Sequence, residues 1–174
     1  MGRIILLDQL QSLLLLAAFL ALGAVACSDS EDSGPAAATP TPPGAVAGDP
    51  VAVVSIADAT VEVGGMVTVD LVVTPQEGVT VGALDVDIVY NSAVLEATAC
   101  TPAGCNATFA PDTVHFSMAS LEGFSGAIGS ATFTAKGDVG ASAVLEVRVL
   151  SCANLEAQLI ACAASNGQVT IGPQ

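Results

Sequence analysis

The stretch at residues 83–90, ALDVDIVY, alternates apolar and polar side chains with a period of two. Successive side chains of a β-strand point to opposite faces, so one half of this set is predicted to face a core. The predicted inward residues are Leu84, Val86, Ile88 and Tyr90. Asp85, Asp87 and Val89 then share the outer face, which is the pattern of a half-buried strand in a sheet with one solvated side.

The same alternation recurs between residues 51 and 171, and Gly, Pro, Asn or Asp interrupts it at short intervals. Strands are predicted at residues 51–56, 61–63, 66–73, 83–90, 114–118, 131–135, 144–149 and 168–171. Helical spacing is confined to residues 153–161, where two flanking cysteines favour a loop or a strand pair. Short strands separated by turn residues are typical of a sandwich, so the predicted fold class is an all-β sandwich of eight or nine strands.

The first 26 residues are predicted to be a signal peptide. Arg3 precedes an uncharged run at residues 13–26, LLLLAAFLALGAVA, whose 14 residues are too few to span a hydrocarbon core of about 30 Å. The small residues at 24–26 fit a signal-peptidase site, and the Cys27 that follows them also fits the bacterial lipoprotein pattern. That pattern usually has Leu where Ala24 stands. Cys27 is the predicted lipidation site, and an ordinary secreted protein is the alternative.

Residues 27–49 are predicted to be a disordered tether between the lipidated Cys27 and a folded domain. The segment SDSEDSGPAAATPTPPGAVAGD is polar and then rich in Pro, Ala and Thr, with no apolar periodicity to bury. The folded domain is expected at residues 50–172. The chain is therefore expected to be extracytoplasmic and held at the bacterial membrane through its lipid anchor alone.

Four cysteines remain once Cys27 is set aside. An exported chain can oxidise them into two disulfides, and four cysteines allow three connectivities. The favoured pairings are the local ones, Cys100 with Cys105 across the turn sequence TPAG and Cys152 with Cys162. A metal site is disfavoured because the chain has one His and no C-x-x-C pair. No cofactor is predicted.

Charge and composition weigh against several classes of function. The chain has 3 Lys and Arg against 17 Asp and Glu, a formal net charge of -14, so no basic surface is available for nucleic acid. His115 lies at an outward strand position and is interpreted as a surface residue with no chemical role. No G-x-S-x-G motif accompanies it. The chain is therefore predicted to be no enzyme, with no catalytic residues.

Aromatic residues bear on a carbohydrate-binding alternative, because sugar rings stack on exposed aromatic faces. Trp is absent from the chain. Tyr90, Phe116 and Phe133 are predicted to point inward, which leaves Phe109 and Phe124 in or near loops. A glycan site made of hydrogen bonds stays open, although the sequence has no D-x-D-x-D-G calcium loop.

Asp85 and Asp87 form the most prominent polar pair, about 7 Å apart along one strand face. One interpretation is a solvated sheet face. The other is an acidic patch that contacts a protein partner, with Val89 adding apolar area beside it. Asp85, Asp87 and Val89 are therefore the candidate partner-binding residues.

Residues 83–96, ALDVDIVYNSAVLE, and the order of the strands around them resemble the cohesin domain of bacterial cellulosomes. Members of that family typically show a segment like D-F-x-L-x-Y-D-P-x-V-L-E. Here its places are taken by Asp85, Val86, Ile88, Tyr90, Asn91, Val94, Leu95 and Glu96. VEVGGMVTV at residues 61–69 and GSATFTA at residues 129–135 resemble an early and a later strand of the family, so the likeness spans residues 51–171.

The resemblance implies a nine-stranded jelly-roll sandwich that binds a dockerin module carried by a cell-surface or secreted enzyme. It also implies that Asp85 is the strand acid that faces the dockerin. Ser92 replaces the usual Pro, Val86 replaces an aromatic residue, and the four cysteines are not a general family feature.

The expected function is that of a non-catalytic protein-binding module linked to polysaccharide degradation, with a dockerin-like partner. The fold is shared with cellulose-binding modules, and fold alone does not decide function. Direct binding of polysaccharide and a structural envelope lipoprotein are the alternatives.

Overall fold

The computed structural model describes residues 48–174. The predicted signal peptide, Cys27 and all of the predicted tether except Gly48 and Asp49 lie outside the described residues. Residues 48–174 contain eleven strands and no helix. These are β1 Ala52–Ile56, β2 Ala59–Glu62, β3 Met66–Pro75, β4 Val81–Val89, β5 Leu95–Thr101, β6 Cys105–Ala110, β7 Thr113–Phe124, β8 Gly126–Ala135, β9 Ser142–Ala153, β10 Cys162–Ser165 and β11 Gly167–Gly172. In this range no helix has the length and hydropathy needed to cross a membrane.

The strands form two sheets. One has five strands in the order β10-β1-β3-β8-β5, and the other has six in the order β2-β11-β9-β4-β7-β6. Most neighbours are antiparallel, and the exceptions are β1 with β10 and β2 with β11. The predicted all-β sandwich is confirmed. Its strand β4 is hydrogen-bonded on both edges, to β7 and to β9, so the strand that carries Asp85 and Asp87 is held from both sides.

The core lies between the two sheets and consists of residues between 52 and 171. Its fully buried side chains come from both layers, as the period-two alternation requires. They include Val54, Leu71, Val86, Ile88, Leu95, Phe116, Phe133, Leu145 and Val169. Tyr90 meets Phe133 edge to face, with ring centroids 5.1 Å apart. The inward prediction for Tyr90, Phe116 and Phe133 is confirmed, and the domain buries a core of its own.

Three strands that the sequence did not reveal raise the count from the eight predicted ranges to eleven. They are β5, β6 and β10, and each lies at the edge of a sheet. Edge strands bury less apolar surface, and these three are rich in Ala, Thr, Asn and Ser rather than in alternating β-branched residues. The usual strand signal is therefore weak in all three.

Two disulfides fasten these edge strands. Cys100 on β5 is joined to Cys105 on β6, and Cys152 on β9 is joined to Cys162 on β10. Each bridge thereby links the five-stranded sheet to the six-stranded sheet. These are the two local pairings that the spacing favours, and they hold together two layers whose edges have little apolar surface to bury.

Phe109 and Phe124, which were expected in or near loops, lie in strands but close to the ends of those strands. Phe109 belongs to β6, and Phe124 is the last residue of β7. Phe124 is partly buried and packs against the core, whereas Phe109 is exposed. Residues 153–161 form a turn closed by an Ala153–Leu159 bridge, in keeping with the loop or strand pair preferred there.

Replacing Cys152 and Cys162 together with alanine is expected to lower the free energy of unfolding by about 2–3 kcal/mol. The bridge closes a loop with a sequence separation of 10, and its loss frees that loop in the unfolded chain. Urea denaturation of the oxidised proteins measures the change. Under reducing conditions the gap between variant and wild type should shrink, because neither protein then has the bridge. Equal urea midpoints for the oxidised proteins would contradict the expectation.

Candidate functional site

A row of polar side chains crosses the outer face of the six-stranded sheet. The strand register places Asn106 of β6 opposite His115 of β7, His115 opposite Asp87 of β4, and Asp87 opposite Arg148 of β9. Their chain neighbours on β4 and β7 point into the core, so these side chains point outward. A register shift between β4 and β9 after Asp85 brings Arg148 into the row.

His115 joins the two predicted aspartates into one group, called here the acidic cluster: Asp85, His115 and Asp87. The imidazole Nδ1 lies 2.8 Å from Asp87 Oδ1 in a hydrogen bond, and Nε2 lies 3.3 Å from Asp85 Oδ1. The side chains are 36%, 21% and 18% exposed for Asp85, His115 and Asp87. His115 does lie at an outward position, as predicted, but it is half-buried and bound between the carboxylates rather than free at the surface.

One carboxylate oxygen of Asp85 accepts no hydrogen bond. Its Oδ1 is shielded from solvent and makes no hydrogen bond, because the approach of His115 Nε2 lacks hydrogen-bond geometry. A shielded acceptor without a donor is unfavourable, and a cationic donor brought close to Asp85 would offset part of that penalty through its charge.

Phe109 covers the other side of the imidazole. Its ring stacks on that of His115 with centroids 4.7 Å apart and an interplanar angle of 24°. Phe109 itself is 56% exposed. The imidazole is thus fixed by an aromatic ring and two carboxylates, and the acidic cluster is a preformed part of the sheet surface.

Arg148 is bound by a carboxylate of its own strand. It donates through Nε to Glu146 Oε1 at 3.0 Å and through Nη2 to Glu146 Oε2 at 2.9 Å. These hydrogen bonds hold the pKa of Glu146 below its ordinary value and raise the pKa of Arg148. The guanidinium therefore donates these two hydrogen bonds to Glu146 rather than to the acidic cluster.

Val89 lies one outward position beyond Asp87, between Thr113 on β7 and Glu146 on β9. It is half-exposed. The three predicted partner-binding residues therefore follow one another along the outer side of β4. His115 brings two of them together, and Val89 extends the line toward the strand end. Among the residues that the structure describes, no group of three or more His, Cys, Asp or Glu is arranged to hold a metal ion.

A model of the cohesin domain family matches residues 52–171, nearly the whole described sandwich. This chain belongs to the cohesin domain family. The acidic cluster and the polar row are thus features of a cohesin surface, and β4 is the strand on which this cohesin carries its predicted partner-binding residues.

Solved cohesins share the fold at low sequence identity. CaCohA2 of Clostridium acetobutylicum is 20% identical with a TM-score of 0.59, and the match covers 71% of this chain and 92% of that one. The OlpC cohesin of Clostridium thermocellum, solved in complex with a dockerin, is 14% identical with a TM-score of 0.62 over 75% of this chain and 99% of that one. A non-cellulosomal cohesin of the archaeon Archaeoglobus fulgidus is 15% identical with a TM-score of 0.57 over 69% and 90%. No curated protein matches this chain significantly.

Sequence reasoning missed two residues of this cohesin surface. It gave His115 no partner and placed Phe109 in or near a loop, whereas the two rings stack beside the aspartates. The sequence did contain a signal for His115. The alternation places His115, Asp85 and Asp87 on the outward side of their strands, so any pairing of those strands would bring the three side chains to one face. For Phe109 no such signal exists, because β6 has no clear alternation.

Proposed function

We propose that this cohesin is a non-catalytic binding module that captures a dockerin-type protein through the outer face of its six-stranded sheet. The observation that carries the proposal is the acidic cluster, which is partly exposed and lies on a strand paired along both edges. Groups held in place before association lose little conformational entropy on binding. The OlpC cohesin, whose fold this chain shares, was solved with a dockerin bound.

The charge of the surface favours a basic partner. Two of the three Lys and Arg residues of the chain, Lys136 and Arg148, lie in the sandwich, and Arg148 is engaged by Glu146. The side chains of Asp85 and Asp87 are partly exposed, at 36% and 18%, and complementary charge both speeds encounter and selects partners. We expect Lys or Arg on the surface that docks here.

The contacts of His115 support binding rather than catalysis. A general acid or base must direct a ring nitrogen at the reacting group. In this cohesin Nδ1 and Nε2 both face carboxylates, at 2.8 Å and 3.3 Å. Neither nitrogen is directed outward to a substrate, so the imidazole acts as a spacer that holds the aspartates in place.

Isothermal titration of this cohesin against a panel of dockerins tests the proposal. The panel contains the dockerins encoded in the genome that encodes this chain and the dockerin of the OlpC complex. At least one is expected to bind with a Kd of about 1 µM or tighter. A panel in which no dockerin binds even at about 100-fold higher concentration would refute the dockerin partner. The link to polysaccharide degradation is tested by the enzyme to which the bound dockerin belongs.

One observation favours the carbohydrate alternative enough to include it in the same experiment. Phe109 presents an exposed ring at the edge of the face, where a sugar could stack. One such ring is a small platform, and within residues 48–174 Tyr90, Phe116 and Phe133 are buried. Affinity electrophoresis on cellulose, xylan and soluble glucans provides the glycan arm. Retardation that is lost in a Phe109→Ala variant would favour direct polysaccharide binding.

We further propose that the protein is extracytoplasmic and anchored by a lipid on Cys27. The support is the sequence alone: an apolar run that ends in small residues before Cys27, followed by a segment rich in Pro, Ala and Thr. A Cys27→Ser variant is expected to lose incorporation of a labelled fatty acid and to leave the membrane fraction. Fractionation of a bacterial host that expresses each form measures this. Membrane retention of the variant without label would contradict the lipid anchor.

A further inference from the structure

The outer face of the six-stranded sheet ends in an apolar depression, called here the leucine groove: Ala83, Ala119, Leu121 and Leu155. It is open to solvent, and its volume is about 310 Å³. The two alanines lie opposite each other on β4 and β7 and form its floor. Leu121 on β7 and Leu155 in the loop between β9 and β10 form its walls. A volume of this size accommodates one large apolar side chain.

The groove is continuous with the acidic cluster. Ala83 is the outward residue next to Asp85 on β4, and Ala119 is the outward residue next to Ser117, which lies opposite Asp85. Outward neighbours on one strand are about 7 Å apart. A partner that contacts Asp85 therefore also reaches the groove.

The groove is preformed. The loop that carries Leu155 is closed by the Cys152–Cys162 disulfide, and the Asn154 side chain accepts hydrogen bonds from the backbone N–H groups of Glu156 at 3.1 Å and Gln158 at 2.8 Å. The loop also lies directly on Gly82 of β4, where an added Cβ would come within 2.7 Å of the Asn154 carbonyl oxygen. The depression is thus held open without a ligand.

Its leucines are exposed beyond what folding requires. Leu121 is 97% exposed and Leu155 is 45% exposed, while Leu159 on the same loop is 55% exposed. Single exposed leucines are ordinary, but Leu121 and Leu155 both line one depression, which is typical of a contact site. Each would bury apolar area when a partner side chain enters.

Acidic residues adjoin the lining residues of the groove along the chain, and they indicate the chemistry of its occupant. Glu122 follows Leu121, Glu156 follows Leu155, and both are exposed, while Asp85 lies beyond the floor. A second copy of this chain would bring like charges together, since its net charge is -14. An occupant with an apolar side chain flanked by Lys or Arg fits this surface, because the apolar group matches the alanine floor and the cations match the neighbouring acids.

We propose that the leucine groove receives one apolar side chain of the captured protein, from a segment in which Lys or Arg flanks that side chain. The inference rests on the proposed function, because it extends the same docking face. It makes the disulfide-closed loop between β9 and β10 a determinant of which partner binds.

A displayed library of random helical peptides, selected on the isolated sandwich of residues 48–174, tests the groove without a natural partner. The enriched peptides are expected to share a Leu, Ile, Met or Phe flanked by Lys or Arg. Their affinity should fall at least 10-fold for the Leu121→Ser, Leu155→Ser double variant. The control variant, Met66→Ser with Val139→Ser, removes two exposed apolar side chains elsewhere and should bind like the wild type. Circular dichroism verifies that both variants fold.

The proposal is overturned if selection enriches no such peptides, or if the leucine variant binds them as well as the control variant does. The dockerin titration separates this result from the proposed function. If a dockerin binds the wild type and the leucine variant with equal affinity, the groove proposal is refuted and the dockerin proposal stands. The opposite result is also distinguishable. If the selected peptides need the two leucines but no dockerin binds this cohesin, the groove proposal stands and the dockerin proposal is refuted.

Discussion

Replacing Asp85 and Asp87 together with asparagine will weaken the binding of a captured dockerin by about 100-fold. Asparagine keeps the shape of each side chain and an oxygen that can accept from His115 Nδ1, so the face should keep its form. What is lost is the negative charge of each side chain, because one oxygen of each carboxylate is replaced by an NH2 group. Both side chains are partly exposed, so the free energy of unfolding should change by less than about 1 kcal/mol. Titration calorimetry and urea denaturation measure the two effects.

The chain offers a matched control on the opposite side of the sandwich. Asp70 on β3 and Glu96 on β5 are exposed acids of the five-stranded sheet. Their change to asparagine and glutamine removes the same two charges, and affinity should then stay within about 2-fold of the wild type, because distant exposed charges are screened by salt. Equal losses in both variants would assign the effect to net charge. No loss in the Asp85 and Asp87 variant would remove this face from consideration.

The outward faces of the candidate site were readable from the sequence because the strand period is two. A single alternating run fixes which residues of β4 point outward, and the same logic applies to His115 on β7. This is why Asp85, Asp87 and Val89 could be selected together, and why Tyr90, Phe116 and Phe133 were correctly assigned to the core.

The contacts across that face were not readable, because they depend on register between strands far apart in the chain. β4 and β7 are adjacent in the sheet, although β5 and β6 lie between them in sequence. The register shift between β4 and β9 moves the pairing by one residue, and the shift between β4 and β7 moves it by three. No local pattern predicts such shifts, so the Asp87–His115 hydrogen bond and the place of Arg148 in the polar row appear only in the folded chain.

The leucine groove was hidden for a different reason. Leu155 and Leu159 lie in a segment, ANLEAQLIA, that is neither strand nor helix, so no periodicity states where their side chains point. Their direction is set by the disulfide and by the hydrogen bonds of Asn154. Spacing alone favoured the cysteine pair, but the surface that this pair shapes depends on how the loop lies against Gly82.

Replacing Phe116 with alanine will lower the free energy of unfolding by about 3–5 kcal/mol. Phe116 lies on β7 of the six-stranded sheet and is completely buried. Its ring reaches across the core to Gly129 on β8 of the other sheet, where an added Cβ would be 3.1 Å from the Phe116 Cε1. Alanine would leave a void that neither sheet can fill without moving, since both strands are paired along both edges. β7 is paired to β4 and β6, whereas β8 is paired to β3 and β5. Urea denaturation of the sandwich measures the loss.

Phe109 supplies the matched control, because Phe109→Ala removes the same atoms from a strand of the same sheet. More than half of Phe109 is exposed and its described ring contact is with His115, so its loss should cost less than about 1 kcal/mol. The same side chain is removed in both variants, so the difference between their free energies of unfolding measures the effect of burial between the two sheets. If the free energies of unfolding of the Phe116→Ala and Phe109→Ala variants differ by less than about 1 kcal/mol, the two sheets are not held together by interdigitated side chains at this point. The disulfides that join β5 to β6 and β9 to β10 would then be the main link between the layers, and the Cys152→Ala, Cys162→Ala variant should lose more stability than Phe116→Ala does.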